Sequence, residues 1–96
     1  MRLREVIWKD RVIDKLEAKH GVSPEEVEEV LFARPHTRRL QRGRVPGEDL
    51  YLAYGRTDAQ RFLVVFFLLK GHEAALPISA REMTHSERRY YEGHAT

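Results

Sequence analysis

The residues best suited to chemistry lie where the apolar stretch in the last third of the chain ends. There Arg81 and Glu82 stand side by side, just before a helix start at Thr84. Functional residues tend to lie on connections that a rigid scaffold positions, and this corner is expected at the mouth of a sheet. A guanidinium can bind phosphate, and a carboxylate can transfer a proton. Glu87 is explained as a helix-capping residue, whereas Arg81 has no local structural duty and is the better functional candidate.

A second candidate is the pair Lys19-His20, which comes directly before Gly21. A histidine can act as an acid or a base near neutral pH, and an adjacent lysine can stabilise a phosphate oxyanion. The same two residues also suit the last turn of a helix, where cations interact favourably with the helix dipole. The spacing alone leaves both interpretations open.

The third feature is an excess of arginine, with 13 arginines against 4 lysines in a chain of net charge +2. Residues 34–44 hold five arginines and no acid, whereas residues 17–29 hold five glutamates. The arginines that could follow a nucleic-acid backbone are Arg38, Arg39, Arg42 and Arg44 on one predicted strand, with Arg56 and Arg61 around a turn. Rows of guanidinium groups can bind such a backbone by charge, but charge on an edge strand also discourages aggregation. Both readings stay open.

Tyr90 and Tyr91 occupy adjacent positions of the predicted last helix, so they cannot both face the core. One is expected to be buried, and the other is free to stack on a base or a partner.

The composition argues against several other kinds of protein. The chain has no cysteine, and no two histidines lie three or four residues apart, so a metal site is not expected. The common nucleotide-binding and hydrolase motifs are missing, and any enzymatic chemistry is expected to need no bound cofactor. The longest apolar run, residues 62–69, is too short to span a membrane, and no signal peptide is evident. We therefore expect a soluble cytoplasmic protein.

A single domain over residues 1–96 has to position these groups. A short first strand is predicted within residues 3–8. Asp10 is predicted to cap a first helix, which Gly21 ends. The sequence Ser23-Pro24-Glu25-Glu26 combines an N-cap, a proline at the first helical position and a capping-box glutamate, and this second helix must stop before Pro35.

The rest of the chain has the pattern of strands followed by a helix. Strands are predicted at residues 38–45, 50–54, 62–69 and 74–79. The unbroken apolar run at 62–69 is typical of a central strand covered on both faces, and Pro77 requires an edge or a bulge. Thr84 opens a last helix through about Gly93. The predicted fold is α+β, in the order β-α-α-β-β-β-β-α, with an antiparallel sheet and helices packed on one face.

Several stretches of this sequence resemble the BrnT family of toxins, the small RelE-like ribonucleases of type II toxin–antitoxin systems. The likeness is carried by Lys19-His20-Gly21-Val22-Ser23, by Ile78-Ser79-Ala80-Arg81-Glu82-Met83-Thr84 and by Glu87-Arg88-Arg89-Tyr90. Ile7-Trp8, residues 25–30, Gly55-Arg56-Thr57 and Arg61-Phe62-Leu63 match in the same order. The resemblance covers nearly the whole chain, and its two longest elements are specific when taken together.

The resemblance implies a small RelE-like domain and a toxin that cleaves RNA. It also implies a cognate BrnA-like antitoxin with a ribbon-helix-helix part, so that DNA is contacted only indirectly, through the complex. No membrane partner is implied. Metal-free cleavage of RNA uses the ribose 2′-hydroxyl as the nucleophile on the adjacent phosphate. It requires a base, cations around the phosphate and an acid for the leaving oxygen.

Roles follow from the resemblance as hypotheses. Arg61 and Arg81 would hold the phosphate, Lys19 would add charge, and His20 would be the acid or base. Glu82 and Glu48 are reserves for that proton transfer. The arginines implied to bind RNA are Arg39, Arg42, Arg44 and Arg56.

Two other functions compete with a catalytic toxin. A non-catalytic module of the same fold would bind RNA or a partner and cleave nothing. A DNA-binding regulator is weaker, because no helix-turn-helix spacing is evident and the basic residues lie mostly on predicted strands. The last residues, 91–96, are also less basic than in family relatives, which implies weaker RNA contact or a changed antitoxin interface.

Overall fold

The computed structural model describes residues 1–94 and shows a five-stranded sheet between helices. The strands are β1 (Glu5–Val6), β2 (His36–Gln41), β3 (Leu50–Arg56), β4 (Phe62–Lys70) and β5 (Ala74–Glu82). The helices are α1 (Asp10–Lys15), which continues as a π-helical turn over Leu16–His20, α2 (Pro24–Phe32) and α3 (His85–His94). Within residues 1–94, every helix is too short or too polar to cross a membrane.

The α+β class and the predicted order of elements are confirmed, and two details of the prediction are wrong. The sheet order is β1-β5-β4-β3-β2, and β1 runs parallel to β5, so the sheet is mixed rather than antiparallel. The helices also do not share one face. Tyr90 and Tyr91 of α3 pack against Leu52, Tyr54 and Val64, on the side of the sheet away from α1 and α2.

This two-sided arrangement follows from the apolar central strand. Leu63, Val64 and Val65 are consecutive and all fully buried, as predicted for a strand covered on both faces. Leu63 and Val65 pack toward α2, on what we call the α2 face, together with the fully buried Phe67. Val64 points to the opposite side, the α3 face. A helix on one side could not have buried both sets of side chains.

Both predicted capping boxes are present. The Ser23 Oγ accepts from the Glu26 N–H at 3.2 Å, and the Ser23 N–H donates to Glu26 Oε1 at 3.1 Å. At α3 the Glu87 N–H donates to the Thr84 hydroxyl at 3.1 Å. The prediction for Asp10 is wrong, because Lys9 is the N-cap and Asp10 is the first helical residue. There its carboxylate complements the positive end of the helix dipole.

Pro77 lies at a bulge, the second of the two settings predicted for it. In the pairing of β4 with β5, Phe67 is opposite Pro77 and Phe66 is opposite Ser79, so Ile78 is an extra residue. Proline has no N–H for the ladder, and a bulge leaves a position where none is needed. From Ser79 onward, the side chains of β5 have changed face relative to an unbulged strand.

The predicted strand at residues 38–45 is displaced, because β2 ends at Gln41. Arg42 and Arg44 therefore lie in the following loop and not on the strand with Arg38 and Arg39. The loop folds back tightly at Gly43, whose N–H donates to Asp49 Oδ1 at 2.8 Å. A Cβ at Gly43 would lie only 2.5 Å from the Cβ of Glu48, so the close approach of the two chain segments requires glycine.

Gly21 provides a test of the first helix end. Its φ of +60° is left-handed, and a Cβ there would meet nothing within 4 Å, so Gly21→Ala adds backbone strain without a clash. We expect it to lower the free energy of unfolding by roughly 1 kcal/mol in urea titrations. Gly93→Ala in α3 is the matched control. Its Cβ also enters open space, and alanine favours a helix, so stability should be unchanged or slightly higher. Equal losses in both variants would contradict the assignment.

Candidate active site

The corner residues Arg81 and Glu82 are neighbours on β5 and point to opposite faces of the sheet. Glu82 pairs in register with Leu63 and joins Arg61 on the α2 face. Arg81 pairs with Val64, and its guanidinium lies 5.5 Å from the Phe66 ring on the α3 face. The structure therefore separates the two arginines that were expected to hold one phosphate.

Arg61 is the centre of the polar contacts on the α2 face. Its Nη1 donates to Glu26 at 2.9 and 3.0 Å and to the Gly21 carbonyl at 2.8 Å. Its Nη2 lies 3.4 Å from the His20 carbonyl and 3.1 Å from Glu82, to which Nε also donates at 3.2 Å. All three guanidinium nitrogens are thus engaged. The arginine ties α2, β5 and the end of the π-helical turn together.

The ionisation of this cluster agrees with a structural role. Partial burial acts to lower the pKa of Arg61, but its hydrogen bonds to Glu26 and Glu82 outweigh burial and raise it. For Glu26, burial raises the pKa, and hydrogen bonds from the Ser23 N–H and from Arg61 reverse the effect and leave it below its usual value. Both groups stay charged near neutral pH and satisfy each other. A phosphate would have to displace carboxylates to reach Arg61.

Two other residues predicted to be catalytic belong to the π-helical turn whose end Arg61 contacts. Lys19 is exposed and His20 is half-buried, both in the π-helical turn. Only the backbone carbonyl of His20 is within reach of Arg61. Their catalytic roles, and that of Glu82, stay predictions. Glu48 lies far along the sequence, in the loop that follows β2, where it lines a cavity with Arg42 and Arg44.

On the α3 face, Arg81 forms a two-pronged ion pair with Glu87, with Nη1 and Nη2 donating at 2.7 and 2.9 Å. Glu87 Oε1 also accepts from the Thr84 N–H at 2.8 Å, so the same carboxylate caps α3 and binds Arg81. The hydrogen bonds from Arg81 make the largest contribution to the pKa of Glu87; they outweigh burial and lower this pKa to about 2. Arg81 thereby fixes the start of α3 to the end of β5.

A cross-strand row connects Arg81 to His36, a histidine whose position along the chain gives no sign of a functional role. His36 is opposite Tyr54, Tyr54 is opposite Val64, and Val64 is opposite Arg81. All four side chains therefore lie on the α3 face, over a span of roughly 14 Å given an interstrand spacing of ~4.8 Å. Arg38, two residues after His36, is on the same face of β2.

α3 completes this group with aromatic and imidazole rings. His36 Nε2 is 2.9 Å from the Tyr90 hydroxyl, and its ring stacks on His94 with centroids 4.6 Å apart. Tyr90 also lies 5.1 Å from Tyr54 between ring centroids, and the Arg38 guanidinium is 5.7 Å from the Tyr90 ring. We call these residues, with Arg81 and Glu87, the histidine–arginine cluster.

The electrostatics of the cluster favour acid–base chemistry. Burial, then the positive charges of His94 and Arg38, lower the pKa of His36, so its ring is neutral at pH 7 and can accept a proton. For Tyr54, burial raises the pKa against the opposing effect of Arg38, and its hydroxyl remains a donor. A base, hydroxyl donors and two arginines thus share one face.

His36, Tyr54 and His94 were missed because their proximity depends on strand register and on the path of α3. One partial signal was present: Tyr90 and Tyr91 were expected to have different roles. Tyr90 joins the cluster, and Tyr91 packs edge-on to Phe62 with centroids 6.1 Å apart.

The arginines predicted to bind RNA are spread over three sites. Arg39 forms an ion pair of 3.6 Å with Asp49. Arg42 and Arg44 are exposed in the loop between β2 and β3, where they line a cavity of about 430 Å³ with Leu50, Leu68 and Ile78. Arg56, at the end of β3, is exposed and donates to Gln60 Oε1 at 3.2 Å. Their RNA contacts stay predictions.

The protein is a small α+β domain with a polar α3 face. The sequence model of the family described as ribonuclease toxin, BrnT, of type II toxin-antitoxin system matches residues 8–87. Because the match covers most of the chain, the protein belongs to the BrnT family of ribonuclease toxins.

A solved structure supports the same fold. The Brucella abortus ribonuclease toxin BrnT aligns with a TM-score of 0.60 and 23% identity, over 84% of this chain and 97% of that one. The comparison with curated proteins gives no match. The predicted family is therefore confirmed, and a ribonuclease toxin with an antitoxin partner and an RNA target is the function that the family implies.

The low pKa of Glu87 makes stability depend on pH. Its folded pKa of about 2 lies below the ordinary 4.5, so its contribution is complete above about pH 4.5 and is lost as the pH falls toward 2. We expect that contribution to be roughly 2 kcal/mol, because Arg81 is partly exposed to solvent. Urea titrations should show Glu87→Gln to be less stable than the wild type at pH 7, with the difference shrinking by pH 2.5.

Glu92→Gln is the matched control, because its pair with Arg88 at 3.5 Å is exposed. It should change stability little at any pH. A Glu87→Gln protein with wild-type stability at pH 7 would contradict the role assigned to this ion pair.

Proposed function

We propose that the protein is a metal-independent endoribonuclease whose active site is the histidine–arginine cluster on the α3 face. One observation carries the proposal. The register of β2, β3, β4 and β5 places a histidine with a lowered pKa and an arginine on one face, with a tyrosine between them. These are the groups that RNA cleavage without a metal requires.

The proposed reaction starts at His36. Its Nε2, now 2.9 Å from the Tyr90 hydroxyl, would take the proton of a ribose 2′-hydroxyl that replaces this partner. The 2′-oxygen attacks the adjacent phosphorus, and the bond from phosphorus to the 5′-oxygen breaks. The leaving oxygen takes a proton from an acid, for which His94, stacked on His36, is the candidate. The products are a 2′,3′-cyclic phosphate and a 5′-hydroxyl end.

Arg81 and Arg38 supply positive charge around the phosphate. Both arginines lie on the same face as His36, since Arg38 is two residues after it on β2 and Arg81 ends the cross-strand row that starts at His36. Preorganised cations that meet the charge developing on the phosphate are usually the largest contribution to such catalysis. Glu87 keeps the Arg81 guanidinium in place through Nη1 and Nη2, and in this proposal the phosphate binds beside that ion pair.

The test is cleavage of RNA by the purified, antitoxin-free protein in the presence of EDTA. We expect His36→Gln to lower the rate by 100-fold or more, because it removes the base and keeps a similar shape. The loss of activity on acidification should set in only below the usual histidine pKa of 6.5, since burial and nearby cations lower the pKa of His36. That acidic limb should be absent from the residual activity of His36→Gln.

His20→Gln is the matched control and decides between the two faces of the sheet. If His20→Gln abolishes cleavage and His36→Gln does not, the site is on the α2 face, with Lys19, Arg61 and Glu82.

Activity lost in EDTA and restored by a divalent cation would contradict metal independence. RNA binding with no cleavage would identify the alternative, a non-catalytic module of the same fold.

We further propose that the antitoxin of this protein has a ribbon-helix-helix part and covers the exposed arginines. Charge supports this view, since Arg38, Arg42 and Arg44 are exposed. The glutamates of α2, by contrast, are largely engaged within the protein, because Glu26 binds Arg61, Glu28 accepts from Trp8 and Glu29 accepts from the Asp58 N–H. An acidic partner segment fits the side that keeps free positive charge.

Coexpression tests this second proposal. A neighbouring ribbon-helix-helix protein should copurify with the toxin and relieve its growth arrest. The double variant Arg42→Glu/Arg44→Glu should weaken the complex, with a steeper effect at low salt. Arg11→Glu, an exposed arginine on α1, is the matched control. Equal weakening by both would place the interface elsewhere.

A further inference from the structure

A second cavity adjoins the histidine–arginine cluster, at the end of the sheet where β3 leaves it. Its volume is about 500 Å³, within the range of roughly 300–1,000 Å³ typical of small-molecule sites. The cavity lining includes the immediate chain neighbours of three cluster residues: Pro35 beside His36, Gly55 beside Tyr54, and Tyr91 beside Tyr90. Neighbouring residues of a strand point to opposite faces, so the cavity lies around the end of the sheet from the cluster, between Val30 of α2 and Tyr91 of α3.

The polar groups around the cavity are those that recognise a nucleotide. Arg34 and Arg56 line it and carry positive charge, against the single carboxylate of Asp58. Tyr91 lines the cavity and contributes an aromatic ring, the kind of group on which a base stacks. Gln60 adds an amide, whose oxygen already accepts from Arg56 at 3.2 Å, so its NH₂ group remains to donate to a base edge.

The backbone of this region is also unusual. Within residues 1–94, Arg34 and Gln60 are the two residues other than glycine with positive φ, at 54° and 67°, and both line this cavity. A left-handed conformation is unfavourable for such side chains and persists where the surrounding structure holds it. In both cases the strained backbone is at a residue that supplies a polar side chain to the cavity.

We propose that this cavity is the binding subsite for the nucleotide next to the cleaved phosphate, and that it sets the sequence preference of the enzyme. Tyr91 stacks the base, the Gln60 amide reads its edge, and Arg34 and Arg56 bind its phosphate. The inference rests on the proposed function, because it takes the neighbouring cluster as the place where RNA is held. It adds a position at which one base is selected.

The experiment measures binding rather than cleavage. The probe is a set of short RNA oligonucleotides that are 2′-O-methylated throughout, so they cannot be cleaved, and that differ at one position. The wild type should bind one base at that position at least fivefold more tightly than the weakest one. Gln60→Gly, which suits the positive φ, should reduce that preference to less than twofold.

Arg34→Gly also suits its backbone and removes one charge. It should weaken binding of all oligonucleotides alike, by about fivefold, and reduce the salt dependence of binding. Arg11→Gln on α1 is the matched loss of charge and should change affinity less than twofold. Circular dichroism and unfolding in urea check that each variant is folded.

The two proposals fail separately. If the wild type binds no oligonucleotide, or if Gln60→Gly and Arg34→Gly keep wild-type affinity and preference, the subsite is overturned, even in a protein that cleaves RNA. If the variants change binding as described while the wild type cleaves no RNA, the cavity is a base-selective RNA-binding site, and the catalytic proposal fails together with the subsite's place next to a cleaved phosphate.

Discussion

A single bulge in β5 determines which chemical groups each face of the sheet carries. Strand side chains alternate between faces, so one extra residue exchanges the face of every side chain beyond it. That residue is Ile78, next to the proline that cannot donate to the ladder. With the bulge, Arg81 lies on the α3 face and Glu82 meets Arg61. Without it, Arg81 would join Arg61 on the α2 face, and the cluster around His36 would lose one of its two arginines.

The two faces then use charge in opposite ways. On the α2 face, Arg61 is held by two carboxylates and two carbonyls, which stabilises the junction of the π-helical turn, α2 and β5. On the α3 face, the arginines stand among rings and hydroxyls, and one carboxylate, Glu87, orients Arg81. A face that carries arginines and few acids is suited to an anionic polymer. The segregation of charge along the sequence is therefore real, but its acidic half serves mainly to hold the fold together.

Much of the fold could be predicted because its signals are local. The capping boxes at Ser23 and Thr84, the helix end at Gly21 and the central strand at residues 62–69 each depend on a few neighbouring residues. The family was evident from ordered motifs over the whole chain. The candidate site depends instead on distant pairings. The residues next to Arg61 in the sequence do not reveal that Glu26, 35 residues earlier, binds it. His36 and Arg81 lie on the same face only because of a register that spans four strands.

The parallel pairing of β1 with β5 has a consequence for how this toxin is made. β1 ends at Val6, yet the strand it pairs with among residues 1–94, β5, begins only at Ala74. Pairing between strands so distant in sequence is slow, and small domains fold as units. β1 can therefore pair only after the elements that lie between it and β5 in the chain, α1, α2, β2, β3 and β4, have been synthesised. A nascent chain that stops short of residues 74–82 lacks the strand to which β1 pairs, so the five-stranded sheet is complete only after β5 has been translated.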